Sequence, residues 1–220
     1  TLRQKLGGER LLSTCTGSQD WPRQGVYFFF EPGEHRGSST EPRVVRVGTH
    51  AVARGARSTL WKRLRQHRGF LKGSFAGGGN HRGSVFRKHV GAAIIGRESR
   101  FSSLSCTWGK GHSAPIETRL AEHCLEQRVS GYIGSMPFLW LRVDDPAGPL
   151  SKRRSIEQNA IGLLSNAAKY QILDPPSPTW LGYMCPNPAI NASGLWNIDG
   201  VYGGYDAAFL EELKARIANM

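Results

Sequence analysis

Arg63 and His67 lie four residues apart, and both fall on the apolar side of the run Ser58–His67. At about 100° per residue, a helix through this run gathers Leu60, Arg63, Leu64 and His67 into one arc and turns Lys62, Arg65 and Gln66 elsewhere. A surface helix presents its cations outward, so an inward guanidinium needs an anion to meet it. That anion is either a carboxylate of the same chain or a phosphate brought by a ligand. The same wheel over Ser113–Val129 sets Glu117 amid Ile116, Leu120, Ala121, Cys124 and Leu125, with Glu122 and Glu126 outside the arc. An inward carboxylate is protonated, paired or metal-bound. An Arg63–Glu117 ion pair would satisfy both groups, and so would a site that takes a metal and a phosphate. Glu157 also turns inward beside Ile156, but a cap at Ser155 puts it in a first helical turn, where acids are favoured anyway. It ranks below Glu117.

The charge distribution favours phosphate. The chain of 220 residues carries 29 Lys+Arg against 17 Asp+Glu, and its pI is near 10.0. Residues 1–115 hold 20 of the bases and 6 of the acids, and between Arg43 and Arg100 the only acid is Glu98. So long a basic stretch reads as a polyanion-binding surface, nucleic acid first, more readily than as a merely solvated face. No apolar run approaches the roughly 20 residues of a membrane span, and no basic amphipathic anchor helix is visible. Cysteines 15, 106, 124 and 185 form no CxxC and no His/Cys ligand spacing, which suits thiols of a reducing compartment. With no charged-then-apolar start of a signal peptide, a cytoplasmic protein is expected. Oligomeric state is not legible.

The elements that must position these residues can be read along the chain. Residues 1–22 read as a basic arm with an uncertain helix. Gly25–Phe30 is β-branched and aromatic throughout, the pattern of a strand covered on both faces. Arg43–Gly48 is the next strand, joined to it by a long loop. The Arg63 helix follows, with Ser58 as its cap. A glycine-rich basic segment runs from Gly69 to Arg87, and Val90–Ile95 is a strand or a helix end. The helix Ser113–Val129 comes next, then a third strand at Pro137–Val143. Ser155 with Gln158 forms a capping box before Ile156–Ala168, and Asp206 caps a last amphipathic helix. The fold class is α+β: a small three-stranded antiparallel sheet flanked by helices over 23–145, with a helical and loop extension at 146–220 packed on it.

Gly25-Val-Tyr27, a strand ending Arg46-Val-Gly48, the Arg63/His67 helix and Glu117 on a later helix resemble, in this order, the GIY-YIG nuclease family. The resemblance covers roughly residues 23–145. It implies a metal-dependent DNA endonuclease that hydrolyses phosphodiester bonds with Mg²⁺ or Mn²⁺. Tyr27 matches the first-motif tyrosine, Arg63 the helix arginine, His67 the polar residue after it and Glu117 the metal-binding glutamate. Arg46 stands where the second motif has tyrosine. The family's late asparagine has no clear counterpart, Asn159 being a distant candidate. In this picture Tyr27 accepts the proton of the attacking water, nearby cations favour its phenolate form, and His67 polarises it or relays its proton. Arg63 forks onto the scissile phosphate. Arg54, Arg57, Arg65, Arg68, Lys72, Arg82, Arg87 and Lys88 would grip flanking phosphates, and Asn80, His81 and Arg82 are of the kind that read base edges. The alternative is a nucleic-acid-binding module that keeps the fold without the activity.

Overall fold

A computed structural model describes residues 1–172 and 174–220. The elements in chain order are α1 (Leu2–Leu6), β1 (Arg10–Leu11), β2 (Gly25–His35), β3 (Pro42–Gly48), α2 (Leu60–Arg68), α3 (Val85–Arg97), α4 (Ile116–Ala121), α5 (His123–Gly134), β4 (Pro137–Arg142), α6 (Lys152–Leu164), α7 (Pro188–Ser193) and α8 (Ala208–Ala218). The strands form one antiparallel sheet in the order β1-β4-β2-β3. It has four strands rather than three, because Arg10 and Leu11 pair with the outer edge of β4. The expected arm is therefore part of the fold. Leu12 and Cys15, which follow β1, are buried in the main core.

The strand β2 is central, and its alternation fills two cores. Tyr27 and Phe29 point into a large core with Leu60 and Leu64 of α2, Phe86 and Val90 of α3, and Leu125 and Val129 of α5. Val26 points the other way, with Val47, Leu141 and Ile156. Burial on both faces is what the unbroken apolar run of β2 requires. The C-terminal third belongs to both cores, since Trp180 and Trp196 enter the first and Val201 and Phe209 the second. Trp196 N–H also bonds Val45 O at 2.7 Å, and the Asn197 side chain pairs with both backbone groups of Val47, so this segment seals the free edge of β3.

Val90–Ile95, open between strand and helix end, is the C-terminal half of α3. Two local expectations shift. The helix α2 is capped by Thr59 instead of Ser58. Ser113–Val129 is not one helix but two, α4 and α5, separated at Glu122. No residue of α4 is buried, and Ile116 and Leu120 are about half exposed. Of the cysteines, Cys15 and Cys185 are buried and Cys106 and Cys124 exposed, all as free thiols. Among the described residues, no helix is long and apolar enough to cross a membrane.

Candidate active site

Tyr27 sits on β2 directly across from Gly48 on β3. The missing side chain at Gly48 makes room for the tyrosine ring: a Cβ there would lie 2.3 Å from the Tyr27 hydroxyl oxygen. The ring is fully buried, and its hydroxyl meets His67 Nε2 at 2.8 Å. One turn before His67, the half-buried Arg63 bonds Gln66 Oε1 at 3.1 Å and Gly83 O at 3.4 Å, and opens toward a cavity. The continuous apolar phase of α2 thus delivers Arg63 and His67 to the same side. Gly48→Ala is expected to displace Tyr27, break its bond to His67 and destabilise the fold by roughly 1–3 kcal/mol, as overpacked cores do. Chemical denaturation reads this effect, and an unchanged stability would contradict the close packing of Tyr27 on Gly48.

Arg46 projects from β3 next to the Tyr27 hydroxyl. It is 7 % exposed, its guanidinium carbon lies 4.9 Å from the centre of the Phe86 ring, and one of its N–H groups donates to Trp196 O. Its Nε has no partner among the described residues. Burial disfavours its charge, Tyr27 favours it, Arg63 opposes it and Glu157 favours it, for a net lowering. A buried guanidinium with an unpaired donor is poised for an anion.

Arg46 and Arg63 line a cavity of about 330 Å³ that also takes Arg154, Glu157, Asn197 and Asp199. Two carboxylates line it, the partly buried Glu157 of α6 and the exposed Asp199. Glu117 is exposed on α4 and does not line the cavity, and none of the described ion pairs joins it to Arg63. Glu157 is partly buried, and Oε1 accepts the Thr49 N–H at 2.9 Å. Burial raises its pKa, against the lowering effect of Arg46, the Thr49 N–H, Arg63 and Arg154. His67 is held well below the usual imidazole range by burial and by the charges of Arg63, Arg46 and Arg87, so it is neutral. Asn159 serves the fold, bonding Ser155 O and the Asp206 N–H.

The glycine-rich segment is knitted into the protein rather than offered outward. Asn80 caps a single helical turn, and His81 is buried, stacked 3.7 Å from Trp108 and bonded to Glu126. Arg82 forks onto Glu122 at 2.7 and 3.0 Å. Arg87 is fully buried against Glu126, and Gly79 is a glycine because a Cβ there would lie 2.3 Å from the Arg87 guanidinium carbon. Arg82 and Arg87 are thus spent on carboxylates about forty residues away in sequence. Arg68 is partly tied too, donating to Cys15 O with its guanidinium 4.9 Å from the Trp61 ring. Arg54, Arg57, Arg65, Lys72 and Lys88 are exposed.

A family model described as the GIY-YIG domain matches residues 1–220, the whole sequence. The chain belongs to the GIY-YIG family. No curated protein and no solved structure matches it. Membership gives this GIY-YIG domain a nuclease-type function on nucleic acid, with DNA as the family's substrate. The residues that carry the resemblance at Tyr27, Arg46, Gly48, Arg63 and His67 come together in space. Three further groups line the same cavity, Glu157, Arg154 and Asp199. For Glu157 the sequence held a signal, its inward phase beside Ile156. For Arg154, three residues before it, the same phase applies. Asp199 sits in an irregular segment that no periodicity reaches.

Proposed function

We propose that this GIY-YIG domain is a metal-dependent endonuclease hydrolysing phosphodiester bonds in DNA. The observation that carries the reading is convergence: two carboxylates, Glu157 and Asp199, and three guanidiniums, of Arg46, Arg63 and Arg154, line a single cavity, and Arg46 adjoins the buried Tyr27–His67 pair. Three cations around one opening suit a nucleotide backbone, whose phosphates they would neutralise and orient.

The family implies a divalent metal, and the donors present fit one. Glu157 has Thr49 N–H as its hydrogen-bond partner through one oxygen, leaving the carboxylate capacity to ligate. Among the described residues no group of three or more His, Cys, Asp or Glu could cage a metal. Mg²⁺ needs no such cage: it takes one or two carboxylates and keeps several waters. Bound at Glu157, it would supply charge stabilisation to the departing oxygen. Arg63 would fork onto the scissile phosphate. A phosphate would also attract the unpaired Nε of Arg46, drawing that guanidinium into the cavity and opening the Tyr27 oxygen to water. Tyr27 would then accept the proton of the attacking water. The exposed Arg54, Arg57, Arg65, Lys72 and Lys88 would hold flanking phosphates, giving binding that weakens steeply with salt.

Plasmid DNA incubated with the protein and Mg²⁺ or Mn²⁺ tests this reading, with EDTA as control. Metal-dependent nicking is expected, and Arg63→Ala should lower it about a hundredfold or more while the exposed cations keep most of the binding. Salt-sensitive binding with no nicking under any metal would instead favour a module that holds nucleic acid without cutting it.

A further inference from the structure

The Tyr27–His67 contact continues one residue further. His67 Nδ1 lies 2.8 Å from Ser84 Oγ, and Ser84 Oγ also accepts the Arg87 backbone N–H at 3.2 Å as the cap of α3. Tyr27, His67 and Ser84 are all shut away from water. A neutral imidazole donates from one nitrogen and accepts at the other, so the two contacts permit two arrangements. In the first, Nδ1–H donates to Ser84 and Tyr27 donates to Nε2. The Ser84 hydroxyl hydrogen then has no acceptor among the described residues and no solvent. In the second, Ser84 donates to Nδ1 and Nε2–H donates to Tyr27. The one hydrogen left over is that of Tyr27, which is itself buried but neighbours Arg46, a residue of the cavity wall. Buried donors are rarely left unpaired, and only the second arrangement puts the surplus hydrogen one side chain from the cavity, where a phosphate that draws Arg46 aside would open it to water.

We infer that Ser84 is a positioning residue whose hydroxyl donates to His67 Nδ1, fixes the Nε2–H tautomer and so makes the Tyr27 oxygen the acceptor of the His67 N–H, beside the Arg46 guanidinium. The inference rests on the nuclease reading for its consequence, though not for its geometry. It decides between the two roles open to His67. With Nε2 already carrying hydrogen, the imidazole polarises Tyr27 and does not take its proton. Once phosphate has drawn Arg46 into the cavity, Tyr27 would pass its own hydrogen to the water admitted there. The phenolate oxygen then forms an O–H bond with the proton of the attacking water, as the water oxygen bonds to phosphorus and the bond to the leaving oxygen breaks. Tyr27 afterwards returns that proton to solvent.

The tautomer is directly observable. In ¹⁵N-labelled protein, long-range ¹H–¹⁵N spectra distinguish protonated from bare ring nitrogens, and comparison with His67→Gln assigns this ring among the 7 histidines. The expected result is a bare Nδ1 and a protonated Nε2; a protonated Nδ1 overturns the proposal. Two variants separate tautomer from helix capping. Ser84→Thr keeps both the hydroxyl donor and the cap, so tautomer and cleavage should stay within a few-fold of the parent. Ser84→Asp keeps the cap but can only accept, which forces Nδ1–H, reverses the polarity at Tyr27 and should cut the rate roughly a hundredfold. A folded Ser84→Asp protein with the reversed tautomer and parental cleavage overturns the role. If the parent shows Nε2–H yet never cleaves DNA, the hydrogen-bond order stands and it is the nuclease reading that falls.

Discussion

Glu157→Gln is expected to abolish DNA cleavage, by about a thousandfold or more, while leaving the fold and most of the DNA affinity in place. The amide preserves the shape of the side chain and can still accept the Thr49 N–H that Glu157 accepts at 2.9 Å. It removes the charge of the partly buried carboxylate beside the guanidiniums of Arg46, Arg63 and Arg154, and the exposed Asp199 on the same wall is left as the remaining acid. A metal at a departing oxygen supplies several kcal/mol of stabilisation, and each 1.36 kcal/mol is tenfold in rate. Glu117→Ala, at an exposed position away from the cavity, should leave the rate unchanged. Nicking assays on both variants settle which carboxylate matters. A dead Glu117→Ala protein beside an active Glu157→Gln protein would reverse the assignment.

The contrast between these two glutamates shows where a helical wheel reads true. Over α2 the phase runs unbroken from Leu60 to Arg68, and Leu60, Leu64 and His67 are buried as one stripe with Arg63 at its margin. Over Ser113–Val129 the phase was carried across a break at Glu122, where α4 ends and α5 begins. The angles assigned beyond the break then lost their meaning. Glu122 and Glu126, placed outside the arc, are the buried ones, and Glu117 is on a segment with nothing buried. A cap at Ser155 would set Glu157 in a first turn, where an acid needs no other explanation. The helix begins at Lys152 with Ser151 as cap, so Glu157 lies in the second turn, beyond the reach of the terminal dipole that would have explained it away. Strand content was easier to read, since the β2 run of aromatic and β-branched residues admits few alternatives. The basic surface was overcounted for a different reason: a local tally cannot see Glu122 and Glu126 arriving from about forty residues downstream to neutralise Arg82 and Arg87.

That neutralisation makes Arg87 the largest expected stability determinant. Arg87 is fully buried, with Nε 3.0 Å from Glu126 Oε2, one terminal nitrogen shared among Glu126 and Ser130, and the other 2.8 Å from His67 O. The other oxygen of Glu126 takes the His81 backbone N–H at 2.6 Å and His81 Nδ1 at 2.9 Å. Arg87→Met would leave the Glu126 carboxylate buried without its charge partner, which costs about 3–5 kcal/mol and, for a chain of this size, roughly 6–20 °C in Tm. Arg87→Met with Glu126→Leu should cost much less than the two single changes added together, because no charge is then stranded. Acid supplies an independent check. Burial works against ionisation of Glu126, but the His81 bonds and the Arg87 charge outweigh it and hold the carboxyl below the usual range. A carboxyl depressed in the folded state contributes stability that is complete above its unfolded pKa and is lost as pH falls through the folded value. Urea titrations should therefore show stability declining on the acid side of the usual glutamate range in the parent, and less steeply in the double variant. Because Arg87 also holds the His67 carbonyl, the single variant should lose cleavage even at temperatures where it remains folded. Parental stability in Arg87→Met would mean that this buried cation holds nothing together.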